Sequence, residues 1–315
     1  MSQAFVKKKR LDIDGVLLLD KPAGISSNDA LIRAKRVMNA KKAGHTGTLD
    51  PFATGLLPIC FGEATKFSQD LLDADKTYET VVHLGISTTT GDTEGEVLKT
   101  SEAVSFSQGE IESALARFRG DISQVPPMYS ALKVNGQKLC DLARAGKEVE
   151  RKARPVEIYE IQIEEIYLPR VRMTVSCSKG TYIRTLCHDI GEKLKCHGCM
   201  ESLLRTRVGQ FHLKDSLTLA QVETYRDENR VPEIVMPVDQ VFSDCPALKL
   251  TKEAAKLGYN GNPFSSTQAL TEHGLTVDKS LEISLDGGKW FRVYDPEGVF
   301  IGVYAYDSKR EQFRP

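Results

Sequence analysis

Several features that mark other protein classes are missing from this 315-residue chain. No apolar stretch approaches the roughly 20 residues of a membrane-spanning helix. The early run Val16-Leu17-Leu18-Leu19 is too short even for a signal-peptide core, so a cytoplasmic location without membrane contact is expected. Cysteines are only seven, an odd and scattered set, which argues for reduced thiols and against a disulfide framework. Neither sign of charge dominates, with 42 Lys and Arg against 43 Asp and Glu and a net charge of -1. A uniformly basic nucleic-acid binder is therefore excluded. There is no Walker loop, no GxGxxG and no GxSxG elbow, so chemistry without a cofactor is expected. Cys187-His188, Cys196-His197 and Cys199 are close in sequence, but only one CxxC is present and Cys187 falls on an apolar helical face; no metal is expected.

What remains has 41% hydrophobic and 27% charged residues, the composition of an ordinary globular fold, at a length suited to one large and one small domain. Basic residues are local: Lys7 to Arg10, Arg33-Lys35-Arg36-Lys41-Lys42, Lys147 to Arg154, and Arg205 with Arg207. Contacts to a phosphate backbone need only such stripes. Gly15 to Asp20 reads as a buried strand, and Ser26, Ser27 and Asn28 offer caps for a helix with Leu31, Ala34, Val37 and Met38 on one face. Tyr78 begins an alternating strand, Val171 to Cys177 is another, and Ile183, Leu186, Cys187, Ile190 and Leu194 mark a helical face. Segment 125–152, with its prolines, Asn-Gly pair and charges, reads as an excursion from the core. Beyond about Leu248 the pattern becomes a short helix at 252–257 and compact strands at 281–285, 291–294 and 299–304.

One carboxylate stands apart. In Gly44-His45-Thr46-Gly47-Thr48-Leu49-Asp50-Pro51, the glycines permit tight turns and Pro51 biases Asp50 toward extended backbone. Alone, Asp before Pro is a common turn former. The run as a whole resembles the signature of the TruB family of RNA pseudouridine synthases, which modify uridine 55 in the T arm of tRNA. Cys177-Ser178-Lys179-Gly180-Thr181-Tyr182-Ile183-Arg184 resembles a second motif of that family, and Leu203-Leu204-Arg205-Thr206-Arg207-Val208-Gly209 a third, with Leu204 in place of the family's first arginine.

The resemblance implies an α+β pseudouridine-synthase fold with a large mixed, mainly antiparallel sheet over residues 11–245, a thumb-like insertion at about 125–152, and a small β-rich PUA-like RNA-binding domain at 248–315. It implies that Asp50 is catalytic, that Arg184 pairs with it, and that Tyr78 stacks on the flipped uracil and assists proton removal at C5. His45 would enter the T loop, Tyr182 and Leu203 would line the base pocket, and Lys21 and Pro22 would buttress the catalytic loop. Lys147, Arg151 and Arg154 of the thumb would meet the RNA backbone. A stand-alone monomer acting on tRNA, needing no guide RNA or protein partner, is the expected form. Two rivals are a tRNA-folding factor in which catalysis is secondary and a glycosylase that would release uracil. An Arg beside Asp50 would be expected to lower its pKa.

Overall fold

The computed structural model describes residues 10–102, 104–271 and 290–315. The chain divides after Val235 into two compact units.

The first unit opens with β1 (Gly15–Lys21), which is buried along most of its length. Helix α1 (Ser27–Val37) follows, its N-cap Ser26 accepting from the Asp29 amide. Ala30, Ala34, Val37 and Met38 are buried against Leu17, Leu19, Leu57 and Ile59, and Leu31 packs at the edge of that cluster. Next come β2 (Ala43–His45), β3 (Thr54–Phe61), α2 (Ser68–Asp73), β4 (Lys76–Leu84) and the hairpin β5 (Ile86–Thr88) with β6 (Val97–Thr100). Helix α3 (Gln108–Leu115), held by a Ser107–Glu110 capping box, leads to β7 (Gly120–Gln124). The excursion then forms the small hairpin β8 (Lys133–Val134) and β9 (Gln137–Lys138), turned by Asn135 and Gly136 at positive φ, and helix α4 (Leu139–Arg144). The long hairpin β10 (Arg154–Tyr167) and β11 (Arg170–Cys177), helix α5 (Ile183–Lys193), β12 (Gly198–Val208), β13 (Phe211–His212) and α6 (Leu219–Asp227) complete the unit.

Nine of these strands make one sheet with the central order β1-β3-β12-β4-β11-β10-β7, β2 adding to β3 and β13 to β12. Only the β3–β12 pairing is parallel, so the sheet is mixed and mainly antiparallel. The outer edge of β1 is covered by Leu217, which exchanges backbone hydrogen bonds with Leu18 and Asp20. Ile183, Leu186, Cys187 and Ile190 of α5 pack with Val82, Met173 and Val175 of the sheet. This periodicity fixes which face of α5 meets the sheet, and Arg184 sits in the first turn of the helix.

The second unit contains β14 (Ala247–Leu250), α7 (Lys252–Tyr259), β15 (Phe264–Ser265), β16 (Ala269–Thr271), β17 (Trp290–Tyr294), β18 (Phe300–Asp307) and β19 (Gln312–Arg314). They form a six-stranded sheet in the order β15-β19-β18-β17-β14-β16 around Phe264, Phe291, Tyr304 and Phe313. The strands expected at 291–294 and 299–304 are β17 and β18. The strand expected at 281–285 lies outside the described residues.

Candidate active site

Asp50 lies on the loop between β2 and β3, and that loop is fastened at several points. The buried Ser27 hydroxyl donates to Leu49 O and accepts from Leu49 N, and Gly24 N bonds Pro51 O. Lys21 is fully buried, and its ammonium donates to Pro51 O at 3.1 Å, Ala53 O at 2.7 Å and Pro22 O at 2.9 Å. Burial lowers its pKa to about 8, so it stays largely protonated at neutrality and clamps the backbone that follows Asp50. Pro22 itself is exposed. At Gly55, φ is +102° and a Cβ would stand 2.4 Å from the Arg205 carbonyl oxygen; only glycine allows this approach of β3 to β12.

Arg184 reaches Asp50 across 134 residues of sequence. Its Nε lies 3.0 Å from one Asp50 oxygen and its Nη2 donates to the other at 3.1 Å, a two-point pairing that fixes the carboxylate's plane. The guanidinium also donates to Thr90 O at 3.1 Å and Tyr129 O at 2.5 Å, and its Nε stands 3.8 Å from Asp92. Arg184 is 6% exposed while Asp50 is 31% exposed, so one partner is sealed and the other opens to the cleft. Asp92 is positioned in turn by Thr90 Oγ1 and the Glu94 amide.

The pKa of Asp50 is raised, contrary to the expectation that a neighbouring arginine would lower it. Burial is the largest cause; Arg184 opposes it, Asp92 adds to it, and Lys21 opposes it. Accessibility at the cleft mouth coexists with protein on the remaining sides, and desolvation outweighs the ion pair. A more basic carboxylate is a stronger nucleophile and proton acceptor once ionised.

Tyr78 is buried at the start of β4, directly opposite Arg205 of β12. Burial raises the phenol's pKa, and Arg205, hydrogen-bonded to its oxygen, opposes that rise. Arg205 is 1% exposed and donates from Nε to Leu56 O at 2.7 Å and from Nη2 to Gly47 O at 3.3 Å. Its place in a basic stripe suggested an RNA contact; the structure corrects this, because strand alternation turns it inward with Leu203, against the loop that carries Asp50. Among the described residues Arg205 has no carboxylate in ion-pair range. Burial accordingly lowers its pKa, an effect that Tyr78 counteracts.

Asp50, Tyr78, Tyr182, Arg184 and Leu203 line one cavity of about 340 Å³, together with Tyr129 and Ser130 of the excursion. That volume suits one nucleoside. Tyr182 is the N-cap of α5, with its amide held by Gln124 Oε1 at 3.0 Å, and burial raises its phenol's pKa. A larger hollow of about 550 Å³ shares Leu203 but is lined by Glu79, Glu94 and Glu201 with Arg172; its acidic wall would repel a phosphate backbone, and Asp50 is not part of it.

His45 ends β2, its buried Nδ1 without a hydrogen-bond partner and its pKa lowered by burial and by Arg205, so the ring is neutral at pH 7. It does not line the cavity. Lys147 and Arg154 are exposed, whereas Arg151 is half-buried and donates to Glu148 at 3.0 Å and Pro126 O at 3.2 Å. Among the described residues no group of His, Cys, Asp and Glu is arranged to hold a metal; Cys187 and Cys199 are buried, with thiols pushed up to about 12 and about 11.

Two residues of this site escaped sequence reasoning. Asp92, in Thr88-Thr89-Thr90-Gly91-Asp92, looks like an ordinary turn carboxylate. Arg205 could have been placed by its two-residue offset from Leu203 on a strand, a signal that points both side chains to the same face.

Known proteins resemble the chain over most of its length. The model of the TruB family pseudouridylate synthase N-terminal domain matches residues 35–183, and that of the tRNA pseudouridylate synthase B C-terminal domain matches 184–243. A tRNA pseudouridine synthase B of Cupriavidus metallidurans is 52% identical over 296 residues, covering 93% of this chain and 91% of the relative. One from Ralstonia pickettii is 56% identical over 268 residues, 84% of each chain. Among solved structures, a chain of a Cbf5-Nop10-Gar1 complex superposes with a TM-score of 0.69 at 24% identity, covering 92% of this chain and 78% of that one. A chain of an H/ACA RNP bound to a substrate RNA containing 2'-deoxyuridine gives 0.68 at 22% identity, over 94% and 80%. These two likenesses establish the pseudouridine-synthase fold. With half or more of its residues identical to those relatives over most of its length, the chain belongs to the TruB family of pseudouridylate synthases and is an isomerase of uridine to pseudouridine.

Proposed function

We propose that this enzyme acts alone on tRNA, taking the target uridine at position 55 out of the T arm into the cavity around Asp50. The observation that carries this reading is the two-point Asp50–Arg184 pair at the wall of a nucleoside-sized cavity beside Tyr78. Isomerisation requires the C1′–N1 bond to break, uracil to turn, and a C1′–C5 bond to form. The Asp50 anion either attacks C1′ or removes the C2′ proton to give a glycal, and Arg184 orients it for either route. Tyr78 presents its ring to the base and its oxygen as the proton acceptor at C5; the Arg205 charge stabilises the phenolate if it forms. Tyr182 and Leu203 confine the base while it turns. Unstacking the uridine costs roughly a few kcal/mol, and the neutral His45 ring is suited to fill the vacated space in the T loop. Lys147 and Arg154 face outward to meet phosphates, with Arg151 bracing the thumb beneath them. The enzyme works as a cytoplasmic monomer without a guide RNA, and the second unit adds RNA contacts beyond the arm. Among the described residues no helix is long and apolar enough to cross a membrane.

Tritium release from a T-arm hairpin labelled at uracil C5, with Asp50→Asn alongside and a check for free uracil, tests the proposal. Release without free base, abolished by the substitution, is expected. Free uracil would identify a glycosylase, and binding without release would put RNA folding first.

A further inference from the structure

The C-terminal end of α1 carries a cluster of positive charge that the chemistry above does not use. Arg10, Lys35 and Arg36 surround a hollow of about 340 Å³ floored by Ile32, and Arg33 is exposed on the same helix. Several other cations of the molecule are paired: Arg230 with Glu228 and Glu233, Arg170 with Glu201, Arg172 with Glu165, Lys179 with Asp73. Even the adjoining Lys41 is paired with Asp12. Among the described residues, Arg10, Arg33, Lys35 and Arg36 have no carboxylate in ion-pair range. The helix dipole favours Lys35 and Arg36 in the last turn of α1, but it accounts for neither Arg10 nor Arg33. Four like charges gathered in a chain of net charge -1 repel one another unless an anion covers them.

We infer that this concavity is a second binding site for the sugar–phosphate backbone, gripping the tRNA outside the T arm. The inference rests on the tRNA reading above. Its placement follows from the helix. Ser27, at the opposite end of α1, touches the catalytic loop through Leu49. The nine-residue rise to Arg36 carries the charges ~13 Å farther along the axis. Phosphates flanking a uridine in the cavity are too close to it to reach them. A more distant part of the folded tRNA is the partner this surface fits, held through point charges that position without reading sequence.

The test is the triple variant Arg10→Gln, Lys35→Gln, Arg36→Gln, compared with wild type on intact tRNA transcript and on an isolated T-arm hairpin over a salt series. The log–log salt slope on intact tRNA should flatten by roughly 2–3, at ~0.9 for each duplex phosphate no longer neutralised, with Kd weakened at least ~10-fold near 0.1 M salt. Hairpin Kd and hairpin turnover should not change, and Tm should hold or rise as like charges leave. An unaltered slope on intact tRNA, or equal weakening on both RNAs, overturns the inference. Failure of wild type to modify tRNA would instead overturn the functional reading, so the two failures are distinguishable.

Discussion

Replacing Arg184 by Met would keep much of the side chain's length and remove its charge. Asp50 would lose two charge-assisted hydrogen bonds, of 3.0 and 3.1 Å, at about 1.5–3 kcal/mol each. Thr90 O and Tyr129 O would lose their donor, and Asp92 would face Asp50 with no cation between them. Part of the loss is relieved as Asp50 takes up a proton or water enters. A net ~3–4 kcal/mol should survive in the transition state, a fall of ~10²–10³ in kcat at pH 7. The pH profile supplies the sharper readout. Burial already holds Asp50 above the ordinary carboxylate value, and Asp92 adds to the rise. Without Arg184 the acid limb of single-turnover tritium release should therefore move to higher pH, and adding Asp92→Asn should move it part of the way back. Arg184→Lys should preserve the limb better than the rate, because lysine keeps the charge and loses the fork. Wild-type kcat and an unmoved acid limb in Arg184→Met would refute the reasoning.

Asp50→Asn should reduce turnover at least ~10³-fold, about 4 kcal/mol of barrier, with RNA affinity within a few-fold. The raised pKa of Asp50 also sets the sign for stability: the cost of ionising it in the folded state is absent below the unfolded value and present above the folded one. Thermal unfolding at pH 7 should accordingly show an Asn variant with Tm unchanged or higher, and a markedly lower Tm would contradict this. Gly55→Ala should lower stability by more than ~3 kcal/mol in urea titrations, since its Cβ would meet the Arg205 carbonyl oxygen at 2.4 Å with φ at +102°. Substituting Lys147, Arg151, Lys152 and Arg154 together with Gln should weaken T-arm binding and flatten its salt dependence by roughly one log–log step for each phosphate left without its cation; an unchanged slope would mean that the thumb does not meet the backbone.

Local periodicity determined much of this protein before any tertiary packing was known. Alternation along Tyr78–Leu84 placed Tyr78 on the buried side of β4, and the spacing of Ile183, Leu186, Cys187 and Ile190 marked the face of α5 that packs on the sheet. These features are set by the few residues on either side of each position, so they are written in sequence. Motif likeness extended that reach to Asp50 and its partner. The net pKa of Asp50 was beyond it, because the shift is a balance between desolvation by the whole cleft and charges brought from positions 21, 92 and 184. Arg205 was misread for a related reason: a basic residue in a run of charges looks solvent-facing until β3, β4 and the Asp50 loop close around it and supply two backbone carbonyls and a phenol oxygen. Sequence fixes what each strand presents on either face, whereas which groups share a low-dielectric space depends on long-range packing, and there only the tertiary structure decides which charges meet.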